Sequence, residues 1–151
     1  KIVLPLRTTE AREKYEALKL ELNNNSAITA AAGVEYLPGS MIWSDMSFYT
    51  EGSNMDKAIL VRRNTVDHQY IEMLGLKVIA GRSFTDNRSM DSDRKVILNR
   101  TACDQLGMSP EQIVGQHIYF DWQGQQYAFD VIGVMEDYHQ NSLKDAISPI
   151  L

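Results

Sequence analysis

The sequence has almost no cysteine and no long apolar run. Cys103 is the one cysteine in 151 residues, which excludes an intramolecular disulfide and a zinc site built on several thiolates. No stretch approaches the ~20 consecutive apolar residues of a membrane-spanning helix. The chain starts at Lys1, without a methionine and in an apolar segment, so we expect a piece of a longer protein. The lack of a signal peptide therefore says nothing about the compartment.

Motifs for nucleotides and nucleophiles are also missing. There is no Gly-x-x-x-x-Gly-Lys-Ser/Thr loop, no Gly-x-Gly-x-x-Gly after a strand, and no Gly-x-Ser-x-Gly elbow. The basic residues are scattered and the net charge is −5, which argues against nucleic acid as a partner. No group of residues indicates a catalytic site, a resident metal or a cofactor. The sequence therefore predicts a binding or coupling module and not an enzyme.

The most informative stretch runs from Val66 to Phe84. Asp67 is a good helix N-cap, because its carboxylate can accept a backbone N–H. Gly75 follows a short apolar helix face, at the position of a left-handed C-cap. A mostly buried strand is predicted at 76–80 and ends at Gly81. This order of helix, glycine, strand and glycine is typical of a scaffold.

The order of elements predicts an α+β fold with two lobes. Residues 1–57 are predicted to form a βαβ-type first lobe, with strands at 2–6 and 28–37 and an aromatic loop at its end. The helix between these strands has an apolar stripe of Ala11, Tyr15, Leu18 and Leu22. Residues 58–135 are predicted to form a β-rich second lobe with short helices.

Local signals position several elements of the second lobe. Asn99 directly follows an apolar strand and is a good helix N-cap. Residues 109–112 match a capping box with proline at the first helical position. Gln123-Gly124 separates two strand-like runs, which predicts a β-hairpin.

Three aromatic residues, Trp43, Phe48 and Tyr49, are the candidate contact residues for a partner. Large aromatic side chains this close together belong either to the core or to an exposed recognition loop. The core is the commoner arrangement. The sequence leaves both open.

Two acidic segments are candidate metal sites. Asp137 and His139 are two residues apart, so they face the same way in an extended segment. They either fix a loop, which is the commoner case, or act as metal ligands with another histidine. Asp86, Asp91 and Asp93 suit calcium, but the loop lacks the glycine and final glutamate of an EF-hand. A solvated loop is favoured there.

Many short motifs occur in the order and spacing of a known family. They are Val66-Asp67, Tyr70, Leu74-Gly75-Leu76, Gly81-Arg82-Ser83-Phe84, Val96-Ile97-Leu98-Asn99, Leu106-Gly107, Gly115, Val131-Ile132-Gly133-Val134, Asp137-Tyr138-His139, Ser142-Leu143 and Pro149. Together they resemble the MacB-like periplasmic core domain of FtsX-type permeases in bacterial ABC transporters, in the style of Bacteroidetes members. Arg100 and Tyr138 depart from the family's usual acidic residue and phenylalanine.

The resemblance implies a porter-like first lobe into which residues 58–135 are inserted, with residues 136–151 returning to the first lobe in truncated form. It also implies a parent permease in the inner membrane, with this domain on the periplasmic side. The family's role is non-enzymatic: a cytoplasmic ABC ATPase moves the domains of a permease homodimer for export or efflux. A periplasmic adaptor or lipoprotein is a further candidate partner. No catalytic, metal or cofactor residue is carried over.

Two other functions stay open at this point. One is a free-standing periplasmic module that binds a peptide or lipoprotein through the aromatic loop. The other is a small metal-dependent hydrolase that uses Asp137, His139 and one other histidine. The exported substrate is not indicated by the sequence.

Overall fold

The computed structural model describes residues 2–86 and 94–151. Its helices are α1 (Thr9–Glu13), α2 (Tyr15–Asn23), α3 (Tyr70–Leu74), α4 (Arg100–Gln105) and α5 (Pro110–Ile113), with a 3-10 turn at Met55–Lys57. Its strands are β1 (Asp45–Thr50), β2 (Ile59–Arg62), β3 (Val78–Gly81), β4 (Lys95–Asn99), β5 (His117–Trp122) and β6 (Gln125–Met135). This mixture of helices and one sheet confirms the α+β class.

The long strand β6 organises the sheet. The strands follow the order β2-β1-β5-β6-β3, and β4 also pairs with β6, in parallel. The first half of β6 pairs with β5, and its last three residues, 133–135, pair with both β3 and β4. The strands β3 and β4 therefore lie on opposite edges of β6.

The predicted hairpin is confirmed at Gln123-Gly124. Both residues have positive φ, 50° and 77°. A two-residue loop with two positive φ angles matches the right-handed twist of the strands it joins. The turn therefore aligns β5 and β6 from Trp122↔Gln125 to His117↔Asp130.

Helix capping agrees with the sequence in most places. Asn99 accepts from the Ala102 amide at 3.1 Å, and Ser109 and Gln112 form a reciprocal capping box. Gly75 ends α3 in the left-handed conformation, with φ of 71°. Asp67 is not the N-cap, because Gln69 occupies that position.

The sheet buries both of its faces along β4. Val96 and Leu98 face a large apolar cluster, and Ile97 faces a smaller one. The large cluster contains Phe48, Val61, Val96, Leu98, Ala102, Cys103, Ile113, Ile118, Val131 and Val134. The smaller cluster contains Ile71, Ile97, Met135 and Ile150. Burial raises the pKa of the Cys103 thiol to about 11, so this cysteine is an inert core residue.

The two strands predicted at 2–6 and 28–37 are not formed in the described residues. The described part of 2–6 is mostly exposed and has no strand, and 28–37 contributes only an isolated bridge, Val34↔Val66. Pro5 lacks a backbone donor, and the small side chains of 30–33 have little apolar surface to bury. The predicted helix is present as α1 and α2.

The sheet also crosses the predicted lobe boundary. The strand β1, within residues 1–57, pairs with β2 and with β5 of residues 58–135. The division into 1–57, 58–135 and 136–151 stays a prediction. Within the described ranges, no helix is both long and apolar enough to span a bilayer.

Gly75→Val is expected to lower the free energy of unfolding by roughly 1 kcal/mol or more. A β-branched side chain is strained at a φ of 71°, although a Cβ there would contact nothing. Gly75→Asn is the matched control and should cost less, since asparagine tolerates this conformation. Urea unfolding measures both, and a wild-type midpoint for the valine variant would contradict the strained cap.

Candidate functional site

One carboxylate joins the N-terminal helices to the rest of the protein. The Oδ2 atom of Asp67 accepts from the Tyr15 hydroxyl, from Lys19 Nζ at 2.8 Å and from the Gly33 amide at 2.8 Å. Its Oδ1 atom accepts from the Gln69 amide at 3.0 Å, just before α3. We call Tyr15, Lys19, Gly33 and Asp67 the Asp67 junction.

The Asp67 junction is largely shielded from water. The Lys19 side chain is 8% exposed and the Asp67 side chain 14%. Burial acts to raise the pKa of Asp67, but hydrogen bonds from Lys19, Tyr15 and Gly33 outweigh it, and the pKa lies below its usual 3.8. Burial, followed by the Asp67 carboxylate, raises the pKa of the Tyr15 phenol. The junction therefore holds an ionised acceptor and a protonated phenol donor.

Gly33 is required by the close approach of Tyr15. A Cβ at position 33 would lie 2.6 Å from the Tyr15 hydroxyl oxygen. The Asp67 amide also donates to the Gly33 carbonyl at 3.0 Å, so the two residues are bonded in both directions. A larger side chain at position 33 would displace the phenol from the carboxylate.

The sequence alone does not predict this junction. Its pattern places Tyr15 in an apolar stripe and indicates no role for Lys19. The i, i+4 spacing of Tyr15 and Lys19 does indicate a shared helix face. Their common partner is 48 residues from Lys19, and no local pattern points to so distant a residue.

Polar contacts join residues 33–44 to the segment that comes directly after β2. The Asn64 side chain accepts from the Tyr36 amide and donates to the Tyr36 carbonyl, both at 3.0 Å. The Glu35 amide donates to Thr65 O at 2.8 Å, and Arg63 N donates to Ser44 O at 2.8 Å. These bonds hold the chain in place where the sequence predicts a strand at 28–37.

The segment after β6 also contacts this region. Gln140 Nε2 donates to the carbonyls of Leu37 at 2.8 Å and Ser40 at 3.1 Å. The Gly39 amide donates to Gln140 O at 2.6 Å. Gln140 thus joins the segment after β6 to residues 37–40.

The three aromatic candidates have different environments. Trp43 is 77% exposed, whereas Phe48 is fully buried in the large cluster. Tyr49 is buried, and its hydroxyl donates to Asp121 at 2.8 Å and accepts from Gln126 at 2.6 Å. Phe48 and Tyr49 are neighbours on β1, so their side chains lie on opposite faces of the sheet, and both are buried. They are therefore core residues and not the surface contact residues that the sequence left open. Trp43 alone of the three is accessible.

Asp137 binds the first turn of α4 and forms no hydrogen bond with His139. Its carboxylate accepts from the amide and the hydroxyl of Thr101, both at 2.9 Å. His139 borders a pocket of about 10 Å³, room for about one water molecule. In the part of the chain that the structure describes, no group of three or more His, Cys, Asp or Glu residues could hold a metal. Of the calcium candidates, Asp91 and Asp93 lie outside the described residues.

A second charged cluster lies on the sheet. Asp130 on β6 binds Lys95 Nζ of β4 and lies 2.7 Å from His117 Nδ1 of β5. The hydrogen bond from Lys95 is the main cause that lowers the pKa of Asp130. This cluster is more exposed than the Asp67 junction, so it contributes less to stability.

An open cleft of about 1,130 Å³ separates α2 from the sheet. On one side it is lined by Ala17, Lys19, Leu20 and Asn23 of α2. The facing residues include Val96 and Ile97 of β4, Phe129 and Met135 of β6, and Tyr138. The Asp67 junction lies at the border of this cleft, where α2 meets the body of the protein.

A family model for the MacB-like periplasmic core domain matches residues 2–150. The periplasmic region of MacB from Actinobacillus actinomycetemcomitans has a similar structure, with a TM-score of 0.57 and 19% identity over 89% of this chain and 60% of that one. A domain of a putative permease protein from Porphyromonas gingivalis gives 0.55 and 16%, over 80% and 49%. The extracellular domain of the noncanonic ABC-type transporter YknZ from Gram-positive bacteria gives 0.51 and 21%, over 89% and 60%.

These likenesses confirm the fold at low sequence identity. The chain spans only 49% to 60% of the length of the three solved chains. A comparison with curated proteins gave no significant match.

Asp67→Asn is expected to lower the free energy of unfolding at neutral pH by about 1–3 kcal/mol, as for hydrogen bonds to a charged group. The folded pKa of Asp67 lies below its usual 3.8, so its ionised contribution is present above that value. It is lost as pH falls through the folded pKa. The difference between variant and wild type should therefore shrink on acidification.

Urea unfolding across a series from neutral to acidic pH measures this difference. Asp130→Asn is the control, because the pKa of Asp130 is also lowered but the residue is more exposed. At neutral pH, Asp130→Asn should lower the free energy of unfolding by less than Asp67→Asn does. A loss for Asp67→Asn that stays constant with pH would contradict the assignment of an ionised carboxylate to the junction.

Proposed function

This chain belongs to the MacB-like periplasmic core domain family, and from that membership we propose that it is the extracytoplasmic domain of a bacterial ABC transporter permease. In this role it carries movement driven by a cytoplasmic ATPase to an export pathway or to a periplasmic partner. The family match over residues 2–150 is the observation that carries the proposal. The three similar solved structures support it at the level of fold.

The proposal places the parent protein in the inner membrane and this domain in the periplasm. The parent permease is proposed to act as a homodimer with a cytoplasmic ABC ATPase subunit. A periplasmic adaptor or lipoprotein is a further proposed partner. Each of these partners concerns the whole parent, of which this chain is only a part.

The domain is proposed to work mechanically and without enzymatic activity of its own. Two residues with reactive side chains have structural tasks: Asp137 binds the first turn of α4, and Cys103 is a buried thiol with a raised pKa. The polar contacts of Gln140 and Asp67 connect distant parts of the chain. Such cross-links suit a domain that moves as a body.

Trp43 is the residue we propose for contact with a periplasmic partner. It is 77% exposed and lies two residues before the start of β1. Exposed tryptophans are over-represented among residues that dominate binding energy at interfaces. Trp122, 58% exposed at the β5–β6 hairpin, offers a comparison at another site.

The permease assignment predicts membrane-spanning segments in the parent gene on both sides of this region. It also predicts that the tagged parent, solubilised in detergent, co-purifies with an ABC ATPase encoded beside it. Finding a parent without any apolar span would overturn the assignment. It would then favour the free-standing peptide- or lipoprotein-binding module.

A photo-crosslinking amino acid in place of Trp43 in the parent is expected to yield a discrete adduct with a periplasmic protein in intact cells. The same amino acid at Trp122 is the matched control and should yield less of that adduct. Trp43→Ser should reduce the affinity for the captured partner about tenfold or more. Equal adduct yields at positions 43 and 122 would contradict a specific contact at Trp43.

A further inference from the structure

Residues 148–151 join the two ends of the sheet. Pairing runs from β2 through β1 and β5 to β6, and β4 lies beyond β6. Ile150 forms a parallel bridge with Arg62, the last residue of β2. The amide of Asn99, the last residue of β4, donates to Ile150 O at 3.0 Å. The segment therefore closes the sheet at the point where β2 and β4 end.

Backbone hydrogen bonds hold the segment on the side of β2. The Arg62 amide donates to Pro149 O, and the Arg62 carbonyl accepts from the Leu151 amide, both at 2.9 Å. The Asn64 amide donates to Leu151 O at the same distance. Bonds that alternate in this way between two chains of the same direction form the ladder of a parallel pair. Residues 149–151 are therefore bonded to β2 and to the residue two beyond it as a strand is.

The Asn99 side chain binds the segment on the side of β4. Its Oδ1 atom accepts from the Ile150 amide and its Nδ2 atom donates to Ser148 O, both at 2.9 Å. Asn99 is fully buried, so water does not compete for these bonds. With the three bonds on the side of β2 and the one from the Asn99 amide, six hydrogen bonds hold residues 148–151.

The side chains of the segment reach both apolar clusters. Ile150 is 1% exposed and belongs to the smaller cluster, with Ile97 and Met135. Leu151 packs against the large cluster. Neighbouring residues face opposite sides, as they do in a strand. Displacing the segment would therefore disturb the packing on both faces of the sheet.

The direction of the bonds decides how the segment resists a pull. In a ladder, the hydrogen bonds run between the strands and not along them. A pull along the segment therefore strains all six bonds at once, whereas a pull across it strains them one after another. A pull along the segment is also divided between β2 and β4, because each of these strands holds part of the set.

We propose that residues 148–151 are a mechanical clamp, through which a pull on Leu151 reaches β2 and β4 together. The bonds of this 148–151 clamp are all made in the structure, so it needs no second conformation to act. Its use in coupling rests on the proposed function, in which the parent permease has a membrane-spanning segment on this side of the domain. The clamp is then the place where movement from that segment enters the sheet.

Single-molecule pulling on the 151-residue chain tests the 148–151 clamp. One handle is attached at Lys57→Cys, which is exposed and lies just before β2, and the other at the C-terminus, in a Cys103→Ala background. Asn99→Ser should lower the mean unfolding force by about one-third, because serine can still cap α4 but two of the six bonds are lost. Leu151→Pro should lower it by about one-sixth, because proline has no amide to donate to Arg62 O.

Leu151→Ala is the matched control at the same position. It shortens the side chain but keeps every backbone bond, so it should lower the force less than Leu151→Pro does. A second pair of handles, at Lys57→Cys and at the exposed Glu111→Cys on α5, leaves residue 151 unloaded. Both clamp variants should lose less force with that pair. An unchanged force on pulling at residue 151, or an equal loss with both pairs of handles, would overturn the clamp.

Hydrogen exchange on the unmodified chain tests the clamp without any variant, in case the variants fail to fold. The amides of Arg62, Asn64 and Leu151 should exchange as slowly as the core amide of Val131, which donates to Gln116 O. Rapid exchange at these three positions, the usual behaviour of a frayed chain end, would count against the clamp. None of these measurements needs a membrane or an ATPase. Their failure therefore leaves the permease assignment untouched, and a parent without apolar spans leaves the clamp in place.

Discussion

The fold depends on the way in which β6 pairs with different strands along its length. Its first half pairs with β5 and its last residues with β3 and β4. At the change, Gly81 of β3 faces Gly133 of β6. A Cβ on Gly133 would lie 2.2 Å from Arg82 O, and one on Gly81 2.4 Å from Ile132 O. Two glycines are needed because two backbones approach within the space that a side chain would occupy.

The pairing of β4 with the last residues of β6 positions the end of β4 and, through it, the end of the chain. Asn99 is fully buried, and its Oδ1 atom accepts from both Ala102 N and Ile150 N. Its Nδ2 atom donates to Ser148 O at 2.9 Å. A buried amide costs free energy unless its polar atoms are paired, and here one residue caps α4 and holds residues 148–150. The segment after β6 is thereby fixed against the sheet.

Polar contacts of the same kind hold the N-terminal region, where the core is absent. Hydrogen bonds link this region to side chains that are distant in sequence. Asp67 and Asn64 accept from the amides of Gly33 and Tyr36, and Gln140 donates to the Leu37 carbonyl. Directional bonds locate these segments without the large apolar areas that pack α4 and α5. The protein therefore combines a packed sheet with a bonded, less buried N-terminal part.

The sequence by itself determined the features that depend on neighbouring residues. The hairpin at Gln123-Gly124, the caps at Asn99 and Ser109 and the left-handed Gly75 follow from local backbone preferences. Ordered motifs also indicated the family that the comparison confirms.

Only the tertiary structure decided which strands have a partner and what each polar side chain binds. Residues 28–37 do not form the predicted strand, because a strand needs a second strand to pair its backbone and only Val34 is paired, with Val66. Asp67 looked like a cap, yet it binds Tyr15 and Lys19 of α2. Phe48 and Trp43 are similar in type, and the sheet buries one and leaves the other exposed. Such outcomes depend on contacts between segments far apart in the chain, which no local pattern encodes.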